Sequence, residues 1–282
     1  MDRRNSTFSS NQKAGDQKAG DQKAGNQDTM GQERNKTGWE QTLHDLESGK
    51  VRSAVKKNGH WEANITVKEA ILEAFRAGVM TEYEMFVDKH NLLPQKFTLN
   101  RKVRVVPGGT SVRCGAFIAP GVIIMPPSYV NIGAFVDEHT MIDSHVLVGS
   151  CAQIGKRVHL SAGVQIGGVL EPVSESPVIV EDDAFVGAGS VLVEGVQVSR
   201  RAVIAPGVKL SRGVPVYDCV NERRLEQGEP IPEDAVVVPG SRPVSERLGW
   251  ARQNGLQVAC ALIIKYRDAK SNASLELEGA LR

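Results

Sequence analysis

Aliphatic residues recur at every sixth position through the middle of the chain, with one interruption between Gly167 and Pro177. A period of six fits neither the roughly 3.6-residue repeat of an α-helix nor the alternation of an ordinary strand. It predicts a mainly β fold, a parallel β-helix in which each hexad supplies one short strand and one corner. The predicted inward residues are Val106, Val112, Ile118, Ile124, Val130, Val136, Ile142, Val148, Ile154, Leu160, Ile166, Val180, Val186, Leu192, Val198, Ile204, Leu210 and Val216.

Small or β-branched residues stand two positions before most of these aliphatic residues, where a tight corner leaves little room. Each buried aliphatic side chain contributes roughly 1.5–3 kcal/mol, whereas ordering the backbone costs roughly 1–2 kcal/mol per residue. A long ladder is therefore needed, and three hexads in each coil give about six coils. We assign residues 99–216 to this β-helix domain.

Residues 38–98 predict a small N-terminal helical domain. Apolar residues around Leu43 fit one helical face, and those around Ile71 fit another. Thr66 begins a capping-box pattern and is predicted to be the N-cap of the second helix. A third short helical segment is predicted from about Thr81 to His90.

Neither end of the chain shows the six-residue hydrophobic pattern of the middle. Residues 217–282 predict a C-terminal α+β cap, because a β-helix has an open end that other segments must cover. Its strands are predicted over Ala235–Val238 and Val258–Ile264, and its closing helix over Ser274–Leu281. Residues 1–37 are polar and repeat QKAGD, and without apolar periodicity they predict a disordered tail.

Composition excludes several classes of function. The net charge of the 282-residue chain is +1, so no strong overall field attracts nucleic acid or a membrane surface. No apolar run reaches the ~18 residues that a transmembrane helix needs. The four cysteines lie far apart without a CxxC pair, which predicts a reduced, cytoplasmic protein with no structural metal.

Several motifs within the hexads are more specific than the period itself. Over residues 48–282 the chain resembles the tetrahydrodipicolinate N-succinyltransferases, hexapeptide-repeat acyltransferases of lysine biosynthesis. The resemblance implies a left-handed β-helix, a homotrimer, and active sites in the grooves between neighbouring prisms. The motifs are RVVPGG (Arg104 to Gly109), GAFIAPG (Gly115 to Gly121), MPPSYVNIGAFVDEHTMIDS (Met125 to Ser144), VGSCAQIGKRVHLSAGVQIGGVLEP (Val148 to Pro172) and VIVEDDAFVGA (Val178 to Ala188).

The resemblance implies transfer of an acyl group from acetyl-CoA or succinyl-CoA to the amine of tetrahydrodipicolinate (2-amino-6-oxopimelate). Such an amine is mostly protonated at neutral pH and must lose a proton, and the two carboxylates of the substrate need a cation. Asp143 matches the family's substrate-binding aspartate, and Arg104 matches its carboxylate-gripping arginine. Spacing alone would favour a turn aspartate and a surface arginine instead.

Two stretches depart from the family pattern. Gly189 and Val191 stand where the family has an arginine and a glutamate thought to act in acyl transfer, and Ser144-His145 replaces a usual Thr-Trp. The related N-acetyltransferases also lack the glutamate, so these changes favour acetyl-CoA as the donor. The remainder of the chain is of the succinyl type.

His145 is predicted as a catalytic residue together with Asp143, because it lies two residues away and several hexapeptide acyltransferases use a histidine base. The alternative interpretation is a polar residue on the coil surface, and His159 is predicted to be structural. The later coils are predicted to bind the acyl-CoA, with backbone amides along the pantetheine arm and basic side chains at the phosphates. These residues are Gly167, Gly168, Gly187, Ala205, Lys209 and Arg212.

Three other functions remain open from the sequence. A γ-class carbonic anhydrase would need its zinc histidines from among His139, His145 and His159. The missing glutamate would also suit a catalytically inactive β-helix scaffold, although Arg104 and Asp143 argue against it. The altered site further suggests a specialised paralogue that makes a lysine-like natural product, such as in tabtoxin biosynthesis.

Overall fold

The computed structural model describes residues 38–268. The predicted tail over 1–37 and the predicted helix Ser274–Leu281 lie outside these residues, so both stay predictions. Within the described part of the chain, no helix is long and apolar enough to cross a membrane. The four cysteines are free thiols.

The N-terminal region combines two helices with two β-hairpins. As predicted, Leu43 on the first helix and Ile71 on the second are buried, and they share one apolar cluster with Ile132 and Cys151 of the β-helix. The elements are α1 (Gly38–Glu47), β1 (Ala54–Lys57), β2 (His60–Ala63), α2 (Ile65–Ala77), β3 (Met80–Glu82) and β4 (Val87–Lys89).

Two predictions for this region were wrong. The N-cap of α2 is Asn64 rather than Thr66, and its side-chain oxygen accepts a hydrogen bond from the Val67 amide at 3.5 Å. The segment from Thr81 to His90 is not helical, because β3 and β4 pair as an antiparallel hairpin. Its β-branched and aromatic residues favour strands, and the stacked rings of Tyr83 and Phe86 lie 5.0 Å apart at the turn.

Residues 104–210 form a parallel β-helix with three sheets. Consecutive strands belong to sheets I, II and III in turn, so each strand pairs with the strand three further along the chain. Sheet I contains β5 (Arg104–Val105), β8 (Ile123–Ile124), β11 (Met141–Ile142), β14 (His159–Leu160), β17 (Phe185–Val186) and β20 (Val203–Ile204). Sheet II contains β6 (Ser111–Val112), β9 (Tyr129–Val130), β12 (Leu147–Val148), β15 (Gln165–Ile166), β18 (Val191–Leu192) and β21 (Lys209–Leu210). Sheet III contains β7 (Phe117–Ile118), β10 (Phe135–Val136), β13 (Gln153–Ile154), β16 (Ile179–Val180) and β19 (Gln197–Val198).

The predicted inward series forms the core of this prism. Sixteen of its eighteen residues are no more than 2% exposed. The first was assigned one residue out of phase, because Val105 rather than Val106 pairs with Ile124 and packs against the core. The turn containing Gly108, with φ of 139°, makes the first corner one residue longer than the others. Val216, the last of the series, is half-buried in a strand that leaves the prism.

Two of the small residues that stand two positions before the inward ones carry hydroxyls that link neighbouring coils. Ser128 Oγ donates to the carbonyl of Asp143 at 2.8 Å, and Ser190 Oγ donates to the carbonyl of Ala205 at 3.0 Å. In both cases the acceptor lies in the corner of the next coil. Each hydroxyl therefore stays satisfied inside the prism and ties two coils together.

The last elements close the open end of the prism. The predicted strands over Ala235–Val238 and Val258–Ile264 are confirmed as parts of one longer antiparallel hairpin. That hairpin pairs with β20, so it extends sheet I and covers its edge. The elements are β22 (Val216–Asp218), β23 (Arg223–Arg224), β24 (Ala235–Pro243), α3 (Gly249–Gln253) and β25 (Gln257–Tyr266).

Charged side chains of alternating sign run along the corner between sheets III and I. Arg157 forms two hydrogen bonds to Asp183 of the next coil, at 2.6 and 2.8 Å. One coil further on, Arg201 forms a bidentate ion pair with Asp234 of the cap. The charges along this corner therefore alternate from coil to coil, and we call these four residues the corner charge ladder.

The burial pattern predicts that alanine substitution at two neighbouring isoleucines lowers the stability by very different amounts. Ile124 points into the prism and is fully buried, whereas Ile123 lies on the outer surface of the same strand. Replacing Ile124 by alanine leaves a cavity and should lower the free energy of unfolding by about 2–5 kcal/mol. Ile123→Ala is the matched control and should cost less than half as much by chemical denaturation. Equal losses would contradict the inward assignment.

Candidate active site

The corner between sheets I and II brings several of the predicted site residues together. Its turns stack from coil to coil through main-chain hydrogen bonds, such as His145 N to Pro127 O at 2.6 Å and Gly163 N to Ser144 O at 2.9 Å. Asp143 lies in one turn of this corner, and residues 187–190 and 205–208 lie in two later turns. We call this line of turns the I–II corner.

Asp143 is paired with a histidine of the next coil. Its Oδ2 lies 2.8 Å from Nε2 of His159, the outward residue at the start of β14. The Asp143 side chain is 27% exposed and the His159 side chain is 14% exposed. The carboxylate is therefore the outer member of the pair, and the imidazole lies behind it.

Aromatic packing holds the imidazole in place. The rings of His159 and Phe185 meet edge to face with centroids 5.1 Å apart. Phe185 is the outward residue directly above His159 in sheet I, and Met141 is the one directly below. An imidazole between these apolar groups has its direction fixed toward Asp143.

His159 was predicted to be structural and not part of the site. The signal that could have found it is the coil length, because β11 and β14 pair one above the other with Met141 beside His159. Asp143 follows Met141 by two residues on the same outer surface, so His159 is its diagonal neighbour. Residues sixteen apart, rather than neighbours in sequence, meet on the surface of such a coil.

Arg104 lies on the same sheet as this pair. It is the exposed outward residue of β5, which pairs with β8, and β8 in turn pairs with β11. Two inter-strand steps therefore separate Arg104 from the level of Asp143, roughly 10 Å. The outer surface of sheet I thus presents a cation and a carboxylate at a spacing that one small molecule can bridge.

His145, the predicted base, lies in the I–II corner with its side chain exposed. Its backbone has a left-handed conformation with φ of 62°, and its carbonyl accepts a hydrogen bond from Gln165 Nε2 at 3.1 Å. The structure thus places the imidazole that pairs with Asp143 on another strand. The catalytic role of His145 stays a prediction.

The residues predicted to bind the acyl-CoA are separated into three places. Gly187 and Ala205 lie in the I–II corner, and Lys209 is exposed on the outer surface of sheet II. Gly167, Gly168 and Arg212 lie in the corner between sheets II and III instead. The Arg212 guanidinium there is paired with Glu175.

Backbone amides at three of these positions already have partners. Gly167 N donates to Leu192 O at 2.8 Å, Gly187 N to Ile204 O at 2.7 Å, and Ala205 N to Val237 O at 2.8 Å. These hydrogen bonds hold successive strands together, so those amides are not available to a ligand. Gly187 itself is buried, and the place that its Cβ would occupy is filled by Pro206 of the next turn, so this glycine lets the two turns stack closely.

The two altered family positions lie at this corner and on the sheet beside it. Gly189 has φ of 69°, and apart from its chain neighbours no heavy atom of the described residues lies within 4 Å of the place that a Cβ would occupy. Val191 is the outward residue of β18, and in the strand ladder it stands between Gln165 and Lys209. A cation thus lies one coil from the position of the missing glutamate.

A cavity of about 550 Å³ opens between the later coils and the cap, on the side of the II–III corner. Its charged lining is mostly acidic, which does not suit the phosphates of a CoA molecule. The charged lining residues are Glu175, Glu194, Arg212, Arg224, Glu226 and Glu229.

The two cysteines of the II–III corner, Cys114 and Cys151, do not suit a covalent acyl-enzyme step. Burial raises the pKa of Cys151 to about 11, and burial together with nearby carboxylates raises the pKa of Cys114 to about 11. A thiol with so high a pKa has almost no thiolate at neutral pH.

The three coil histidines are not close together within the described chain. His139 lies in the III–I corner, His145 in the I–II corner and His159 on sheet I. Among residues 38–268 no group of three histidine, cysteine or acidic side chains is arranged to hold a metal ion. Within one chain, the γ-class carbonic anhydrase prediction therefore has no ligand set.

Comparison with known proteins gives consistent results along the chain. Residues 17–77 match the family described as tetrahydrodipicolinate N-succinyltransferase N-terminal, and residues 177–212 match the hexapeptide repeat of succinyl-transferase. The 2,3,4,5-tetrahydropyridine-2,6-dicarboxylate N-succinyltransferase of Coxiella burnetii is 46% identical over 251 residues, covering 86% of this chain and 88% of that protein. The protein of the same name from Nitrosospira multiformis is 44% identical over 257 residues, covering 86% and 88%.

A more distant relative gives the same result. The N-succinyltransferase of that name from Buchnera aphidicola is 39% identical over 251 residues, covering 86% of this chain and 87% of its own. A solved chain from Campylobacter jejuni aligns with 79% of this chain and 61% of its own, at 18% identity and a TM-score of 0.44. On the similarity to its sequence relatives, the chain belongs to the tetrahydrodipicolinate N-succinyltransferase family of hexapeptide-repeat acyltransferases.

Proposed function

We propose that this protein transfers a succinyl group from succinyl-CoA to the amine of tetrahydrodipicolinate (2-amino-6-oxopimelate). The observation that carries the proposal is the partly exposed Asp143 carboxylate, which lies on the same sheet surface as Arg104. Relatives up to 46% identical carry the N-succinyltransferase name over nearly their whole length.

The two charged residues match the two ends of such a substrate. An ammonium or amine binds well to a carboxylate, and Asp143 offers one at the edge of the I–II corner. A carboxylate of the substrate binds well to the fork of a guanidinium, which Arg104 supplies. Two strand spacings, roughly 10 Å, separate the strand level of Arg104 from that of Asp143, and this suits a pimelate-length chain held between an extended arginine and an aspartate.

The acyl donor is proposed to lie along the I–II corner. The thioester carbon must come within bonding distance of an amine held by Asp143, and the exposed Gly189, two turns further on, leaves open space on that corner. Lys209 on the adjacent sheet supplies a positive charge on the same side of the prism. The amine attacks the thioester carbon, the oxyanion collapses, and CoA leaves as its thiolate.

The two altered positions and the rest of the chain favour different acyl donors. Gly189 and Val191 favoured acetyl-CoA in the sequence analysis. The relatives named N-succinyltransferase cover at least 86% of this chain, which favours succinyl-CoA. We propose succinyl-CoA, with Lys209, the strand partner of Val191, as a cation beside that position.

We also propose that the prism is left-handed and assembles as a homotrimer. In this chain sheet III is covered by the N-terminal region, where the Arg52 guanidinium lies 3.8 Å from the ring centre of Phe135 and donates to Gln153 at 2.8 Å. Sheets I and II keep half-exposed apolar residues on their outer surfaces, including Met141 and Leu147. Neighbouring copies would cover those surfaces and form a cleft beside the I–II corner.

The pathway follows from the substrate. A dicarboxylate amine acylated in this way is an intermediate of lysine-type biosynthesis, and the departures at Gly189 and Val191 carry the further proposal of a tabtoxin-type paralogue. The catalytically inactive scaffold is the competing proposal. It is supported if the protein binds the dicarboxylate but forms no N-acyl product with either CoA thioester.

Neutralising Asp143 should impair the reaction. Asp143→Asn keeps the shape but loses the charge that orients the amine, so turnover with succinyl-CoA should fall at least tenfold. Asp137→Asn is the matched control, because Asp137 follows the inward Val136 just as Asp143 follows Ile142. Initial rates should be measured beside light scattering, which should give a trimer mass for both variants. Wild-type turnover in Asp143→Asn would refute the role.

Restoring a cation at position 189 should shift donor choice toward succinyl-CoA. An arginine fits the left-handed corner, since Arg157 and Arg201 occupy equivalent corner positions with φ of 53° and 58°. Gly189→Arg should raise the ratio of kcat/KM for succinyl-CoA over acetyl-CoA by about threefold to tenfold. Gly207→Arg controls for added charge, because Gly207 also has a positive φ and open space. An unchanged ratio in both variants would count against a missing cation as the cause.

A further inference from the structure

We infer that the Asp143–His159 pair is the proton acceptor of the reaction, with His159 taking the proton through the Asp143 carboxylate. This inference rests on the proposed function. It replaces two candidates, the glutamate that is absent at position 191 and the exposed His145. The evidence lies in the direction, burial and surroundings of the imidazole.

The order of the two groups follows from their exposure. Asp143 is the more exposed partner at 27%, so its carboxylate faces the substrate side, and His159 at 14% lies behind it. The 2.8 Å separation of Oδ2 and Nε2 is that of a charge-assisted hydrogen bond. When the neutral imidazole carries its hydrogen on Nδ1, the Nε2 lone pair faces Oδ2, so a proton that reaches the carboxylate can pass to Nε2 without any movement of the backbone, and the charge-assisted hydrogen bond then forms.

The surroundings keep this imidazole in one orientation. Phe185 packs edge to face against it from β17, and Met141 lies beside it on β11. The charged groups on the packed strands are Asp143 at the end of β11 and, in the turns before β14 and β17, the Arg157–Asp183 pair. Arg157 and Asp183 neutralise each other, and Asp143 is the charged group whose side chain lies within hydrogen-bond distance of the imidazole.

A proton acceptor is needed because the position of the family glutamate carries no charge. Val191 is the outward residue of β18 on sheet II and cannot accept a proton. The substrate amine enters mostly as an ammonium ion, which has no lone pair for attack. An acceptor on the substrate side of sheet I must therefore take the first proton.

The proton balance of the step is complete. The ammonium loses one proton through Asp143 to His159, and its lone pair forms the N–C bond to the thioester carbon. The carbonyl π electrons move onto oxygen and return as the C–S bond breaks. The attacking nitrogen loses a second proton, the CoA thiolate gains one, and His159 releases its own to solvent, so the net reaction yields the amide, CoA and one proton.

Variants of His159 separate proton acceptance from simple positioning. His159→Gln can keep an N–H donor near Asp143 Oδ2 but cannot titrate, whereas His159→Phe loses both properties. His145→Gln tests the competing histidine, and His139→Gln controls for loss of an exposed histidine in another corner. Each purified variant is assayed as the full chain with succinyl-CoA and tetrahydrodipicolinate across a pH series, with its mass measured by light scattering.

We expect His159→Gln to lose turnover even though glutamine can still donate a hydrogen bond to Asp143. His159→Gln should lower kcat by about a hundredfold, the size of a general-base contribution, with KM for the dicarboxylate changed less than threefold. In wild type, His145→Gln and His139→Gln, log kcat should fall toward low pH as the acceptor imidazole gains its proton. That decline should be absent from the residual rate of His159→Gln.

Two outcomes would overturn the inference while leaving the proposed function intact. One is near-normal kcat in His159→Gln with a large loss in His159→Phe, which would assign His159 to positioning alone. The other is loss of the low-pH decline in His145→Gln rather than in His159→Gln. A wild-type protein that forms no N-acyl product would instead refute the proposed function itself.

Discussion

The stacking of each coil on the one before it is the constraint on which the rest of the structure depends. Inward aliphatic residues such as Ile142 and Leu160 lie one above the other in adjacent strands, and their packing fixes which outward residues meet. Asp143 and His159 are brought together by this register, because they flank two stacked inward residues on the same surface. A site of this kind needs no loop to close over it, since the strand spacing alone sets its distances.

The N-terminal region does not cover the three sheets of the prism equally. The N-terminal region packs over sheet III and the II–III corner, where Ile132 and Cys151 join the helices in one apolar cluster. Buried Lys68 of α2 also holds the segment before β16 by donating to the carbonyl of Glu175 at 2.5 Å. Sheets I and II keep half-buried apolar residues such as Met141 and Leu147 on their outer surfaces, and the corner between them carries Asp143.

Much of the fold could be predicted from the sequence because one hexad determines both the strand and the direction of its side chain. The prediction failed at Val106, where a longer glycine turn shifts the phase, and over Thr81–His90, where helical period and strand propensity compete in a short segment. In the site, Asp143 and Arg104 came from the resemblance. His159 was missed because its partner is distant in sequence, and the approach of the two side chains follows only from the exact coil length.

The corner charge ladder has a consequence for how the chain avoids misfolded pairings. Nearly all inward residues are Val, Ile or Leu, so a strand displaced by one whole coil would still bury an acceptable side chain. Arg157 would then face Arg201, and Asp183 would face Asp234, with like charges replacing ion pairs. The corner charge ladder thus favours the correct pairing of coils over a pairing displaced by one coil, a distinction that the hydrophobic interior does not make.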